Sequence, residues 1–213
     1  SGFVGWVDRI RILPGGLTNA GVVNLAGGLA SVACWGDSLT EGTGGTPAGR
    51  WPDKLRNTRV PHSGVYNGGV GGETSTQIKV RALADTIRKD WTAVIWVGRN
   101  NLTSMSTVLA DVAAMVANLS HNRFLVMSVT NKSDGTEGPG SGTYDSIIAL
   151  NAALAATYPN NYFDIRSSIV ASSAGSGDAP APAWTAAGLH FNDTGYAHIA
   201  TQVGAFLRNK RWY

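Results

Sequence analysis

The sequence predicts a single α/β domain in which a mostly parallel sheet of five strands is covered by helices on both faces. Two observations lead to this prediction. The chain has 213 residues, a length that suits one domain with a full-sized core. From Leu29 onward, short apolar runs alternate with stretches whose apolar residues follow helical spacing.

The elements follow one another in a regular order. The apolar runs predict strands near residues 30–35, 63–66, 92–97, 123–129 and 161–165. Helical spacing predicts helices near residues 50–57, 75–88, 105–119, 144–157 and 193–208. Two segments rich in small and polar residues predict loops at 131–143 and 171–183, and in this topology both lie at the carboxyl edge of the sheet.

The first 28 residues precede this alternation and form a predicted N-terminal extension to a domain at residues 29–213. Between Val7 and Leu13, apolar and charged residues alternate, a pattern typical of a half-exposed strand. Pro14-Gly15-Gly16 then predicts a turn. We interpret this segment as an accessory strand or as the remnant of a linker from a preceding module.

Composition excludes several kinds of partner. The net charge is +3 and the chain lacks a basic run, which excludes nucleic acid as the expected partner. The apolar segment 21–33 is interrupted by Asn24 and a glycine pair, so it is too broken to span a membrane. Cys34 has no second cysteine to pair with, and no His, Cys and Asp residues show metal-ligand spacing. We therefore expect neither a metal nor another cofactor.

The most informative motif is Gly36-Asp37-Ser38, which directly follows an apolar run ending at Trp35. A strand that ends in such a tight turn places a hydroxyl at the carboxyl edge of the sheet, where ligands bind in open α/β proteins. A serine becomes a useful nucleophile only when a base takes its proton. The motif therefore predicts a reactive serine if the rest of the chain supplies a base and oxyanion donors.

Three further motifs follow in order. They are the glycine-rich residues 67–75, Gly98-Arg99-Asn100-Asn101 after an apolar run, and Gly188-Leu189-His190-Phe191-Asn192 before the last helix. With the first motif, this series resembles the SGNH (GDSL-type) hydrolases, whose four blocks carry a Ser, a Gly, an Asn and a His. The resemblance covers roughly residues 29 to 208.

The resemblance implies a three-layer α/β/α, flavodoxin-like fold and a catalytic site. Carried over residue by residue, Ser38 is the nucleophile and His190 the general base. The implied oxyanion donors are the backbone N–H groups of Ser38 and Gly72 and the side-chain amide of Asn100. A glycine suits position 72, since the absence of a Cβ lets the backbone approach a substrate closely.

The fourth block departs from the family pattern, which usually reads Asp-x-x-His, because Ala187 stands at the position of the acid. Three explanations stay open. The chain is an inactivated variant in which Asp was replaced by Ala; another group, namely Asp178, Asp164 or a carbonyl near Trp184, orients His190; or the Ser–His dyad works unassisted at a reduced rate. We favour a dyad with a substitute orienting group, since a natural chain is the simpler assumption.

Three other residues are candidates for substrate binding. Asp37 precedes the nucleophile, and Arg99 lies beside the block-three asparagine, where it reaches an anionic or polyhydroxylated substrate or pairs with a local carboxylate. Trp184 lies near a loop, and its aromatic face suits stacking on a sugar ring. The remaining histidines, at 62, 121 and 198, are interpreted as structural.

These residues predict a serine esterase that cleaves short-chain acyl esters through an acyl-Ser38 intermediate. The low charge and high glycine content resemble bacterial or phage-associated members of the family, many of which deacetylate carbohydrates, so an O-acetylated glycan is the expected substrate. Two alternatives are a catalytically weakened module that binds acylated glycans, and a lipase or thioesterase acting on longer chains. Nucleotide binding is disfavoured, because Thr74 stands where a dinucleotide fingerprint needs its third glycine.

Overall fold

A computed structural model of the protein describes residues 31–57 and 64–212. The predicted N-terminal extension at residues 1–28 lies outside the described residues. At the centre is a five-stranded sheet of order β2-β1-β3-β4-β5, in which all four strand pairings are parallel. The strands are β1 Val32–Gly36, β2 Val65–Gly69, β3 Thr92–Trp96, β4 Phe124–Met127 and β5 Tyr162–Phe163.

Helices follow the strands and cover both faces of the sheet. They are α1 Ser38–Glu41, α2 Trp51–Asn57, α3 Ser75–Ala84, α4 Met105–Ala117, α5 Gly142–Thr157, α6 Ile165–Ser172 and α7 Asp193–Asn209. A short antiparallel hairpin of β6 Thr185–Ala186 and β7 His190–Phe191 precedes α7. The predicted three-layer α/β/α fold with a parallel five-stranded sheet is confirmed.

The two faces of β1 belong to two separate cores, because successive side chains of a strand point to opposite faces. Val32 and Cys34 pack in one core with residues of α2, α6 and α7. Ala33 and Trp35 pack in the other with residues of α3, α4 and α5. Every residue of β1 and β3 is buried, as expected for central strands covered on both sides.

Several predicted boundaries are corrected by local hydrogen bonds. The helix predicted at residues 75–88 ends at Ala84, because Oδ1 of Asp85 accepts from the N–H groups of Ile87 and Arg88 and closes a turn. The fifth strand ends at Phe163, because Oδ1 of Asp164 accepts from the N–H of Ser167 and starts α6, a helix that the sequence analysis missed.

The strand register brings three of the motifs to one line across the sheet. Gly36, the last residue of β1, is paired with Gly69 of β2 and with Trp96 of β3. The turns that follow these three strands therefore leave the sheet side by side at its carboxyl edge. In open α/β sheets this edge is where ligands bind.

Candidate active site

The turn after β1 fixes the position of Ser38. A Cβ at Gly36 would lie 2.1 Å from Oγ1 of Thr40 and 2.6 Å from the carbonyl oxygen of Trp96, so only glycine permits this close turn. Asp37 caps α1, and its Oδ1 accepts from the N–H of Leu39 at 3.0 Å. Ser38 is therefore the first residue of α1 and is 9% exposed.

The imidazole of His190 lies beside this serine. Its Nε2 is 2.9 Å from Oγ of Ser38, so the hydroxyl can donate to the ring when the ring proton is on Nδ1. His190 opens β7 directly before α7. Asp193, in the first turn of α7, accepts from the N–H and the hydroxyl of Thr46, each at 2.7 Å, and so holds this end of the chain against the loop that follows α1.

The surroundings of His190 keep its ring neutral near pH 7. Burial lowers the pKa of the imidazole below its usual 6.5, and the positive charge of Arg99 lowers it further. The carboxylate of Glu41 opposes both effects. A neutral ring is the form that can take a proton from Ser38.

The predicted oxyanion donors lie on the turns that follow β1, β2 and β3. Among the described residues, the backbone N–H groups of Ser38 and Gly72 have no hydrogen-bond acceptor. Gly72 has a φ of +78°, a conformation that glycine adopts without strain. Asn100 donates one amide hydrogen to the carbonyl of Glu73 at 2.9 Å, which leaves its second hydrogen unused. A Cβ on Gly71 would lie 3.8 Å from Cβ of Ser38, so this glycine loop borders the serine.

Comparison with known proteins identifies the family of the chain. The family described as GDSL-like lipase/acylhydrolase matches residues 34–198. The chain belongs to the GDSL-like lipase/acylhydrolase family. As a member, it is an esterase or acylhydrolase at the level of reaction class, and the family named from the sequence motifs is confirmed.

Solved structures of other proteins share the fold. A GDSL-like lipase from Bacteroides thetaiotaomicron is 21% identical, with 85% of this chain and 89% of that chain covered and a TM-score of 0.66. A lipase/acylhydrolase from Enterococcus faecalis is 15% identical, with 85% and 96% covered and a TM-score of 0.66. A catalytic mutant of an acetylxylan esterase from Geobacillus stearothermophilus is 16% identical, with 84% and 93% covered and a TM-score of 0.62. No curated protein matches the sequence.

In this GDSL-like protein, the position of the usual acid has an unusual backbone. Ala187 has a φ of +53° and Gly188 a φ of +79°, both in the left-handed region. Asn and Asp tolerate that region better than Ala does. No described residue forms a hydrogen bond with Nδ1 of His190, so the ring has no visible orienting group in this part of the chain.

Among the described residues, none of the substitute orienting groups expected from the sequence forms a hydrogen bond with the imidazole of His190. Asp178 accepts from Tyr144 and Arg166, each at 2.6 Å. Asp164 caps α6 and accepts from Ser128. The carbonyl of Trp184 accepts from the N–H of Asn192 at 3.1 Å. The hydrogen bonds of the described residues therefore identify none of these groups as the partner of His190, and a substitute orienting group stays a prediction.

The three candidates for substrate binding also have other partners. Asp37 is only 1% exposed and caps α1, so it is not placed to touch a substrate. Nη2 of Arg99 lies 2.6 Å from a carboxylate oxygen of Glu137, and both side chains are 8% exposed. Trp184 packs against the core, with its ring 5.1 Å from that of His198. Of the two expectations for Arg99, the structure shows the local ion pair.

The sequence analysis missed two acidic residues close to the site. Glu137 lies in the loop after β4 and pairs with Arg99. No sequence motif around Glu137 predicts this ion pair. Oε2 of Glu41 would lie 2.9 Å from a Cβ on Gly71 and accepts from Thr43 at 3.2 Å. Its position three residues after Ser38, on the same helical turn, is a signal that could have identified it.

Residues 31–57 and 64–212 contain neither a candidate metal site nor a candidate membrane-spanning helix. This part of the chain contains no group of three or more His, Cys, Asp or Glu side chains placed to hold a metal ion. None of its helices combines the length and the apolarity needed to cross a bilayer.

Proposed function

We propose that this protein hydrolyses short-chain acyl esters, principally O-acetyl groups on carbohydrates, through a covalent acyl intermediate on Ser38. The observation that carries the proposal is the 2.9 Å contact between Oγ of Ser38 and Nε2 of His190. These two groups form a nucleophile and base pair of the kind that acyl transfer requires.

In the first half of the reaction, Oγ of Ser38 attacks the ester carbonyl carbon while its proton passes to Nε2 of His190. The carbonyl oxygen becomes an oxyanion, which accepts hydrogen bonds from the N–H groups of Ser38 and Gly72 and from the amide of Asn100. Loss of one such donor typically raises the barrier by about 2.7–4 kcal/mol. The imidazolium then gives its proton to the leaving alcohol, and the acyl group stays on Ser38.

In the second half, water replaces the alcohol. His190 takes a proton from the water as it attacks the acyl carbon, and a second tetrahedral oxyanion forms in the same place. Its collapse releases the carboxylic acid and returns the proton from His190 to Oγ of Ser38. The chain thus regenerates its starting state without a cofactor.

A carbohydrate ester is the favoured substrate for two reasons. The acetylxylan esterase of Geobacillus stearothermophilus has the same fold, although at 16% identity this is support by analogy alone. The low content of charged residues and the 27 glycines of the chain resemble the bacterial and phage-associated relatives from which the expectation came. An acyl-length series from C2 to C12 tests the alternative of a lipase or thioesterase, which a maximum at long chains would support.

One observation favours a second function. Because Nδ1 of His190 has no hydrogen-bond partner among the described residues, a module that binds acylated glycans with little turnover is the competing proposal. Loss of the orienting acid of a triad can lower kcat by about 10⁴.

Hydrolysis of p-nitrophenyl acetate by the wild type and by Ser38→Ala separates the two functions. We expect a rate difference on the order of 10³ or more for an enzyme that uses this serine. Equal rates, with circular dichroism showing that both proteins are folded, would reject the enzyme and leave the binding module.

A further inference from the structure

The reaction scheme needs two donors from different segments of the chain to stay at a fixed separation. The N–H of Gly72 lies in the loop before α3, and the amide of Asn100 lies in the single helical turn at residues 99–101, after β3. Asn100 is exposed, and in the described part of the chain its side chain forms one hydrogen bond, which it donates to the carbonyl of Glu73. Donors stabilise an oxyanion most when they are held in place before the reaction. The groups that hold these two segments together are therefore part of the site.

A reciprocal pair of hydrogen bonds joins the same two segments. The side chain of Asn101 accepts from the N–H of Ser75 at 3.2 Å through Oδ1, and it donates through Nδ2 to Oγ of Ser75 at 2.9 Å. Together with the bond from Asn100 to the carbonyl of Glu73, these bonds attach the turn after β3 to the start of α3. Because Gly72 directly precedes Glu73, they limit how far its N–H can move relative to the amide of Asn100.

A buried carboxylate gives these hydrogen bonds their direction. Asp111, on α4, is 3% exposed, and its Oδ2 accepts from the hydroxyl of Ser75 at 2.7 Å. Since this hydroxyl gives its proton to Asp111, its lone pairs are left to accept from Nδ2 of Asn101. Burial disfavours the charged carboxylate, but hydrogen bonds from Lys79, Ser75 and Thr76 outweigh this effect and lower the pKa of Asp111 below its usual 3.8. Asp111 is therefore an acceptor at neutral pH and fixes the orientation of the Ser75 hydroxyl.

We infer that Ser75 and Asn101 are positioning residues for the oxyanion donors, which hold the amide of Asn100 at a fixed distance from the N–H of Gly72. The inference rests on the proposed function, since both of these groups are donors in the reaction scheme. Ser75 is fully buried, and both ends of the Asn101 side chain are bound to it. Both residues therefore act through Asn100 rather than by contact with the substrate.

Coupling between Ser75 and Asn100 tests the inference. Ser75→Ala removes the acceptor for the Asn101 amide, and we expect kcat/KM for p-nitrophenyl acetate to fall about tenfold. In the Asn100→Ala background the same substitution should change kcat/KM less than about twofold, because the donor that it positions is already absent. Asn101→Ala, at a less buried residue, should show the same dependence on Asn100, so the test has a second variant if Ser75→Ala folds poorly.

Ser128→Ala is the matched control. Ser128 is also fully buried, and its hydroxyl donates to a carboxylate oxygen of Asp164 at 3.0 Å and accepts from the N–H of Arg166 at 2.9 Å. This variant loses the same kind of hydrogen bond as Ser75→Ala, a buried hydroxyl donating to a carboxylate. Its free energy of unfolding should fall as in Ser75→Ala, while its kcat/KM should stay within about twofold of the wild type.

A spectroscopic measurement separates the inference from the proposed function. The side-chain amide signal of Asn100 is assigned in ¹⁵N-labelled protein by its absence from Asn100→Ala, and it should shift in Ser75→Ala and keep its position in Ser128→Ala. An unchanged amide signal in Ser75→Ala, or a loss of kcat/KM that is equal in the wild-type and Asn100→Ala backgrounds, would overturn the positioning role even if Ser38-dependent hydrolysis is observed. A shift of the Asn100 amide without any Ser38-dependent hydrolysis would instead keep the positioning of the amide and reject the esterase.

Discussion

The imidazole of His190 is held between opposing charges. Burial and Arg99 lower its pKa, and Glu41, on the same helical turn as Ser38, raises it. The base must be neutral to accept the proton of Ser38, so kcat/KM should rise with pH through the pKa of His190 and level off above it. That pKa lies below 6.5, so the plateau should include pH 7.

Glu41→Gln tests this balance. Without the carboxylate, the protonated ring is less stabilised, so the rising limb of kcat/KM against pH should move to lower pH. A pH–rate series with p-nitrophenyl acetate measures the shift. Glu41→Asp keeps the negative charge and should stay closer to the wild type, and a limb that moves to higher pH in Glu41→Gln would contradict the assignment.

The backbone at Ala187 suggests a gain-of-function experiment. Its φ of +53° is one that Asp and Asn adopt more readily than Ala, so either replacement should be accepted by the fold. If the missing acid limits turnover, Ala187→Asp should raise kcat on p-nitrophenyl acetate about tenfold or more, within the roughly 10⁴ that an orienting acid can contribute.

Ala187→Asn separates charge from backbone conformation in this experiment. It shares the left-handed preference but is neutral, so its kcat should stay near that of the wild type. Equal kcat values for the Asp, Asn and wild-type proteins would mean that the dyad does not depend on an acid at this position.

At the level of residues, the sequence identified the groups that the structure brings together. Ser38 and His190 were predictable because each lies in a short motif whose local context is itself informative. The partners of Arg99 and Asp178 were not, because side chains 38 and 12 residues away along the chain meet them through loop conformations that no local pattern encodes.

At the level of secondary structure, hydrogen bonds and an ion pair join the loop between β4 and α5 to the candidate active site. Its Ser133 donates from both N–H and hydroxyl to the carbonyl of Gly188, at 2.9 and 3.1 Å. Its Glu137 pairs with Arg99 and accepts from the N–H of Lys132 at 2.9 Å. The predicted loop at residues 131–143 thus connects the third and fourth motifs.

Removing one member of this ion pair should be costly. Glu137→Gln removes the paired carboxylate from the guanidinium of Arg99, which is 8% exposed. We expect the free energy of unfolding to fall by about 3 kcal/mol in urea titrations. The double variant Arg99→Met with Glu137→Gln should recover much of this loss, and a single-variant effect below about 0.5 kcal/mol would place the pair among weak surface ion pairs.

The boundaries of some helices could be predicted from sequence patterns, and those of others could not. Helices with a clear apolar face, such as α4 and α7, were predicted close to their observed bounds, because burial of that face decides them. The end of α3 and the start of α6 depend instead on Asp85 and Asp164, whose side chains accept from backbone N–H groups. Aspartate occurs in many turns and caps, so its presence alone does not fix a boundary.

For the molecule as a whole, Asp37 links pH to stability. Burial raises the pKa of its carboxyl from 3.8 to about 6. Between these values the folded chain binds more protons than the unfolded chain, so stability falls as pH rises towards 6 and then levels off. At neutral pH the buried charge therefore opposes folding.

Asp37→Asn removes this charge while keeping a side chain that can cap α1. Its free energy of unfolding relative to the wild type should be on the order of 3 kcal/mol more favourable at pH 8 than at pH 3. Thermal or urea unfolding at both pH values measures the difference. Asp37→Ser, another neutral cap, should show the same pH dependence, and a gain that is equal at both pH values would point to packing instead.

The fold as a whole could be predicted because a parallel sheet must be buried on both faces, which makes its strands apolar and separates them by helices. No single segment of the sequence predicts the strand order β2-β1-β3-β4-β5.

The hydroxyl of Ser38 and the imidazole of His190 are separated by 152 residues along the chain. Their meeting requires the first described strand, the closing hairpin and the last helix to be packed at the same time. Ester cleavage is thus a readout of completed folding. A refolding chain should recover its circular dichroism before its activity. A single proteolytic cut that releases α7 should abolish activity even if the sheet stays folded.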